Sequence, residues 1–217
     1  MQAITNILTD VFKWIHMLVP SYGIDIILFT LLIKIVLLPF NIAQTRSTVK
    51  TQMIQPKLKE IQKKYKNDSK KLQEAQLELY KSEGVNPLAG CLPLIIQLPV
   101  IWAVFYVFRA YPFGSATFLG LTLSKVVKNA NPAYIGLLFA IVSGATTYIS
   151  TWLLTPKNQE HSAMSSNSTN FIMSAFFGWV SWTMPAGLVV YWIVNNILQL
   201  VIQYSLNEAM YKKLNSK

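Results

Sequence analysis

Cysteine is almost absent from these 217 residues: Cys91 stands alone, so no intramolecular disulfide can form and cysteine usage says nothing about redox compartment. It reads as a small apolar core residue. Histidine is nearly as scarce, with His16 and His161 both outside the long apolar runs. Acidic residues number nine against nineteen lysines and arginines, and none lies in the middle of an apolar run. The chain contains no GxxxxGK[ST], no HExxH and no nucleophile elbow, and an intramembrane serine or aspartyl protease would lack its partner residues. These absences argue against an enzyme, and no cofactor or metal is expected. There is also no internal repeat of the kind that many transporters carry.

What the chain has in abundance is apolar sequence. Residues are 53% hydrophobic and only 13% charged, outside the usual range of a soluble domain. Runs such as 24–40 and 133–154 approach the roughly 20 residues needed to cross a bilayer. The fold class expected is an all-α integral membrane protein with five transmembrane helices, at about 22–42, 88–109, 133–154, 171–184 and 187–206.

The formal net charge of +10 could point to nucleic acid, but its distribution follows topology instead. The segment 43–87 alone holds ten lysines and arginines, and positively charged loops stay cytoplasmic. That places the N-terminus outside and the C-terminus inside. Lys157, Lys212, Lys213 and Lys217 add to the inner side, against Lys13, Arg109, Lys125 and Lys128 outside. DNA is not an expected partner, while contact with ribosomal RNA stays open.

The first twenty residues have neither a basic run before their apolar part nor a lipoprotein-type cysteine, and do not read as a cleaved signal. Ile4, Ile7, Leu8, Val11, Phe12, Ile15 and Leu18 follow helical spacing, which predicts an amphipathic helix lying in the interface; a frayed terminus is the alternative. Within 43–87, Ile54, Leu58, Ile61 and Tyr65 share one helical face and Leu72, Ala75 and Leu79 another, with the turn sequence KNDS at 66–69 between them. The expectation is a cytoplasmic helical hairpin, its first arm bent at Pro56 and its second ended by Gly84 and Pro87. Its lysines, notably Lys57, Lys59, Lys63, Lys64, Lys70 and Lys71, form either a docking surface or merely a solvated connector.

Polar residues inside the spans are costly in lipid and usually face the bundle or water. Lys34 lies about seven residues, roughly 10 Å, from the inner end of its span, where a lysine costs up to about 3 kcal/mol. It could snorkel its ammonium to the headgroups. However, Ser143, Thr147 and Thr151 recur every four residues, as do Asn195, Gln199 and Gln203, and Thr30 lies one turn before Lys34. One such stripe would be interhelical glue; three with a lysine favour a wet cavity opening inward. Asp25 is too close to the outer end to pair with Lys34. Pro93 and Pro99 bracket Gln97 and invite a kink in the second span. The fourth span, at about 14 residues or roughly 21 Å, is short for the hydrocarbon core and predicts local bilayer thinning.

The segments NPLAGCLPLIIQLP (86–99), LLIKIVLLP (31–39) with QTRS (44–47), and MPAGLVVYWIVNN (184–196) resemble the YidC family, in the family's order and over nearly the whole chain from about residue 20. The resemblance implies a five-helix bundle around a hydrophilic groove, open to cytoplasm and lipid and closed outside. By position the groove's cation would be Lys34, its threonine neighbour Thr30 and the aromatic of the fifth helix Trp192. Many bacterial members have arginine where this chain has Lys34, and an ammonium is a point charge rather than a planar fork. The large extracytoplasmic domain of Gram-negative members is missing, and the tail 207–217 has only three lysines.

The candidate groove residues are Lys34, Thr30, Gln97, Thr147, Ser150, Thr151, Trp192, Asn195, Asn196 and Gln199. The implied function is insertion and folding of nascent membrane proteins, alone or with the Sec translocon, with the lipid bilayer and the ribosome as further partners. A small-solute or ion transporter is the competing class.

Overall fold

The structure is a computed structural model and describes residues 2–86, 92–154 and 167–215. Among these residues it is helical apart from one two-stranded hairpin and connecting loops. In chain order the helices are α1 (Gln2–Leu18), α2 (Tyr22–Val36), α3 (Leu38–Met53), α4 (Gln55–Lys64), α5 (Ser69–Ser82), α6 (Leu92–Ala110), α7 (Ala133–Leu154), α8 (Asn167–Thr183) and α9 (Ala186–Asn215). Strands β1 (Thr117–Phe118) and β2 (Leu121–Thr122) lie between α6 and α7. Helices α7 and α9 are each long and apolar enough to cross a membrane, and α2 with α3 make a third such segment if the bent pair is one span. The part of α6 from Gln97 to Arg109 is apolar but shorter.

The single span expected at 22–42 is broken. Helices α2 and α3 meet at Leu37 with a bend of 61°, and α3 continues to Met53. Pro39, in the first turn of α3, explains the break: it has no N–H to bond and its ring opposes the carbonyl four residues earlier. The break leaves Lys34 in the last turn of α2, where the helix dipole favours a cation. Pro56 likewise opens α4 instead of bending an existing helix, the break falling at Ile54. Pro99 is accommodated inside α6. Helix α8 has 17 residues, about 26 Å, longer than the expected fourth span, and α9 runs 30 residues, well past the expected end at 206. Cys91 and Pro87 lie outside the described residues.

Helix α1 is docked rather than only amphipathic. Phe12 and Ile15 are buried, with Leu8 and Val11 beside them, while Ile4, Ile7 and Leu18 of the same sequence pattern are exposed together with Trp14 and Met17. Phe12 has its ring edge-on to Phe29 and Phe108 at 5.4 Å and to Tyr111 at 4.8 Å, so one aromatic side chain fastens α1 to α2, α6 and the following loop. The same core takes in Phe113, Leu123 and Tyr191.

This end of the bundle is closed by backbone as well. The β1–β2 turn places Leu119 and Gly120 at positive φ, the geometry of a tight two-residue hairpin. Phe118 lies where a side chain on Gly23 would be, so α2 and the hairpin meet at a glycine. Three backbone bonds then stitch the loop to the α8–α9 turn: Val127 N–H to Met184 O at 3.0 Å, Ala186 N–H to Lys125 O at 2.9 Å and Gly187 N–H to Leu123 O at 3.0 Å. Helices α7 and α8 pack closely through Gly144 and Gly178, whose Cα atoms face each other across the seam.

The expected hairpin is present as α4 and α5. Asp68 caps α5 by accepting from the Lys71 N–H at 3.1 Å, and Gly84 takes φ +59° just past its end. Ile54 and Leu58 form its core with Val85, Leu79 and Tyr80, and burial pushes the Tyr80 hydroxyl above its ordinary pKa.

Among the described glycines Gly136 has the tightest backbone approach: a Cβ there would sit 2.3 Å from the Val127 carbonyl oxygen. Gly136→Ala is therefore expected to destabilise the detergent-solubilised protein by about 1–3 kcal/mol, read as a lowered thermal midpoint.

Candidate functional site

The chemistry of the bundle concentrates on α9. Positions 192, 196, 199, 203 and 207 follow helical spacing and present Trp, Asn, Gln, Gln and Asn along one face. This helix packs on α2, α3, α6 and α7, so the polar face is turned inward against neighbours.

Its first half meets α7. Trp192 Nε1–H donates to Thr147 Oγ1 at 3.1 Å and Asn196 Nδ2–H to the same oxygen at 2.9 Å, with Thr146 Oγ1 at 3.3 Å. Ser150 Oγ donates to the Asn196 carbonyl at 3.4 Å, and the Trp192 indole stacks on Phe177 of α8 at 4.6 Å. Deeper along α7, Ser143 and Ser181 of α8 share a buried hydrogen bond of 2.7 Å. Part of the α7 stripe is thus interhelical glue, the blander of the two expectations.

The second half of the stripe meets α2. Lys34 is only 3% exposed and its Nζ donates to Gln199 Oε1 at 2.8 Å. The ammonium therefore does not snorkel out along α2; it turns inward to α9. Gln199 Nε2 donates in turn to Gln203 Oε1 at 3.4 Å, and Gln203 Nε2 to Asn207 Oδ1 at 3.1 Å. Among the described residues no carboxylate forms a salt bridge with Lys34. Asp25, the nearest in sequence, is fully buried some nine residues away along α2 and is bonded to His16 Nδ1 at 2.6 Å, with His16 stacked on Tyr22.

The remaining candidates divide. Thr30 is fully buried one turn from Lys34, but its hydroxyl donates to the Ile26 carbonyl of its own helix at 2.6 Å. Thr151 bonds back to the Thr147 and Tyr148 carbonyls, and Asn195 is buried. The buried Gln97 amide of α6 and the Tyr191 hydroxyl of α9 face each other, a polar pair set among apolar neighbours. Sequence spacing missed Tyr191 because a tyrosine between apolar residues reads as core, and missed Asn207 because it lies past the expected span end. On the hairpin, Lys57 pairs with Glu83 and Lys71 with Asp68, while Lys63, Lys64 and Lys70 are exposed and Lys59 is half-buried.

A helical membrane protein with a buried cation and a polar stripe is the class this geometry defines. Residues 14–213 match the model of the 60Kd inner membrane protein family. The chain is 38% identical over 226 residues to the membrane protein insertase YidC of Clostridium perfringens, covering 94% of this chain and 90% of that one. It is 39% identical over 206 residues to that of Caldanaerobacter subterraneus, covering 94% of each. Against the YidC of Neisseria gonorrhoeae the identity is 33%, over 92% of this chain but 35% of the longer relative. A crystal structure of an active YidC insertase with its first transmembrane domain resolved superposes with a TM-score of 0.72 at 33% identity, over 93% of this chain and 46% of that one. The chain belongs to the YidC family of bacterial membrane protein insertases. Membership favours the insertase over the transporter.

Thr147 serves two donors from α9, so Thr147→Val should cost about 1–2 kcal/mol of stability in detergent unfolding. Ser205→Ala, at an exposed hydroxyl bonded only to its own helix, should stay within about 0.5 kcal/mol of the parent.

Proposed function

We propose that this chain inserts membrane proteins by offering the acidic extracytoplasmic segment of a client a polar recess between α2 and α9, with Lys34 as its charge. The observation that carries this reading is the buried ammonium with a neutral partner and, among the described residues, no paired carboxylate. A cation held in low dielectric attracts an anion far more strongly than one in water. Taking a hydrophilic segment past such a group lowers the cost of its passage, and no bond is made or broken.

In this reading α2 with the start of α3, α6, α7, α8 and α9 are five spans around a groove open to cytoplasm and lipid. The N-terminus is outside and the C-terminus in the cytoplasm, the orientation supported by the lysines of 43–87. The aromatic cluster about Phe12 and the stitched loop 111–130 then close the outer end. Helix α1 lies at the outer interface with Ile4, Ile7 and Trp14 toward lipid. Thr30, Gln97, Thr147, Ser150, Thr151, Trp192, Asn195, Asn196 and Gln199 line or brace the groove. The client's apolar helix leaves along the outer faces of α7 and α9, driven by partitioning into lipid. The α4–α5 hairpin, through Lys63, Lys64 and Lys70, guides clients and meets the ribosome or the Sec translocon.

The test is reconstitution in liposomes with a single-span client bearing an acidic translocated tail, scored by protease protection. Insertion should exceed that of empty liposomes, fall roughly tenfold with Lys34→Ala and recover in part with Lys34→Arg. Full insertion by Lys34→Ala would remove the electrostatic step; no insertion by folded protein would remove the independent activity.

A further inference from the structure

We infer that Gln199 is a positioning residue: a neutral placeholder that holds the Lys34 ammonium in the resting groove and is displaced by a carboxylate of the client. This deepens the groove reading above and rests on it.

The geometry assigns the direction of the whole polar chain. An ammonium can only donate, so the Gln199 carbonyl oxygen must face Lys34 and its NH2 must point away. That NH2 meets Gln203 Oε1, whose own NH2 meets Asn207 Oδ1. Three amides spaced four residues apart on α9 are thereby aligned with their oxygen ends toward the lysine. Every link satisfies the next, so Gln199 is held in the orientation that receives the ammonium, and Gln203, 4% exposed, is buried where a random orientation would leave a polar group unmet.

The choice of an amide matters at this position. A glutamate at 199 would make a buried ion pair, and separating such a pair costs several kcal/mol because one charge is left uncompensated. The amide accepts only one side of a charge-assisted bond and is neutral, so Lys34 stays positioned while its charge stays unspent. An acidic segment entering the recess brings a stronger acceptor than the one it replaces. The ammonium exchanges Gln199 Oε1 for a carboxylate oxygen, and the reverse exchange, with Gln199 already oriented by Gln203, releases the client.

The experiment uses the full chain in liposomes with two single-span clients that differ only in tail charge, one acidic and one neutral. Gln199→Glu, checked for unchanged helicity and thermal midpoint, should lower insertion of the acidic-tail client roughly tenfold, since the resident carboxylate now competes for Lys34. The neutral-tail client, which brings no carboxylate to compete, should lose several-fold less than the acidic-tail client does. Gln199→Met, which removes the placeholder without adding charge, should leave the acidic-tail client far less affected than Gln199→Glu does. Normal insertion of the acidic-tail client by Gln199→Glu, or equal loss for both clients, would overturn the placeholder role while leaving a Lys34→Ala defect, and with it the groove, intact. Unchanged insertion by Lys34→Ala would overturn the groove reading and this inference together.

Discussion

A charged group cannot be left alone in a low-dielectric interior, and in this bundle that constraint falls on Lys34. Its ammonium is buried, so an acceptor must be present, and the acceptor is on α9 rather than on its own helix. The amide that accepts this hydrogen bond has to be oriented, which draws in Gln203 and Asn207 and extends the polar face of α9 by two further turns. The bend at Leu37 belongs to the same requirement, since it ends α2 within a turn of the lysine and places the charge at the negative end of a helix dipole.

Two halves of the bundle behave differently. Around Phe12 the packing is aromatic and tight and the backbone of the loop is hydrogen-bonded to the α8–α9 turn. Around Lys34 the contacts are single hydrogen bonds between long polar side chains. Apolar packing excludes water without needing partners, whereas amides and an ammonium can exchange their partners for water or for a peptide. The polarity gradient along α9, from Tyr191 to Asn207, is thus a gradient in how replaceable the contacts are.

Much of this was legible before any coordinates. Long apolar runs specify helices in a bilayer, and a lysine within a run announces itself by its cost. The hairpin was readable because Ile54, Leu58, Ile61 and Tyr65 share one helical face and Leu72, Ala75 and Leu79 another, with the turn sequence KNDS between them. Less legible were features that depend on distant residues meeting. Nothing in the spacing of α1 says that Phe12 reaches Phe29 and Phe108 while Ile4 and Ile7 stay exposed. His16 and Asp25, nine residues apart in two helices, pair only because the chain turns between them. The α7 stripe was read as one feature, yet Ser143 is spent on Ser181 while Thr147 serves α9, a division that only the crossing of the helices decides. The bend at Leu37 was missed because the apolar run passes through Pro39 without interruption; hydropathy is blind to a missing N–H.

The stitching of the α8–α9 turn has a mechanical side. With Ala186 and Gly187 held by backbone hydrogen bonds, α9 is a rod clamped at its first turn, and lateral displacement along it grows with distance from the clamp. Gln199 lies thirteen residues on, about 20 Å away, so a tilt of only about 5° carries it nearly 2 Å sideways, while Tyr191 moves well under 1 Å. Any small angular play at that held end would become, at the lysine, the difference between a hydrogen bond and a gap.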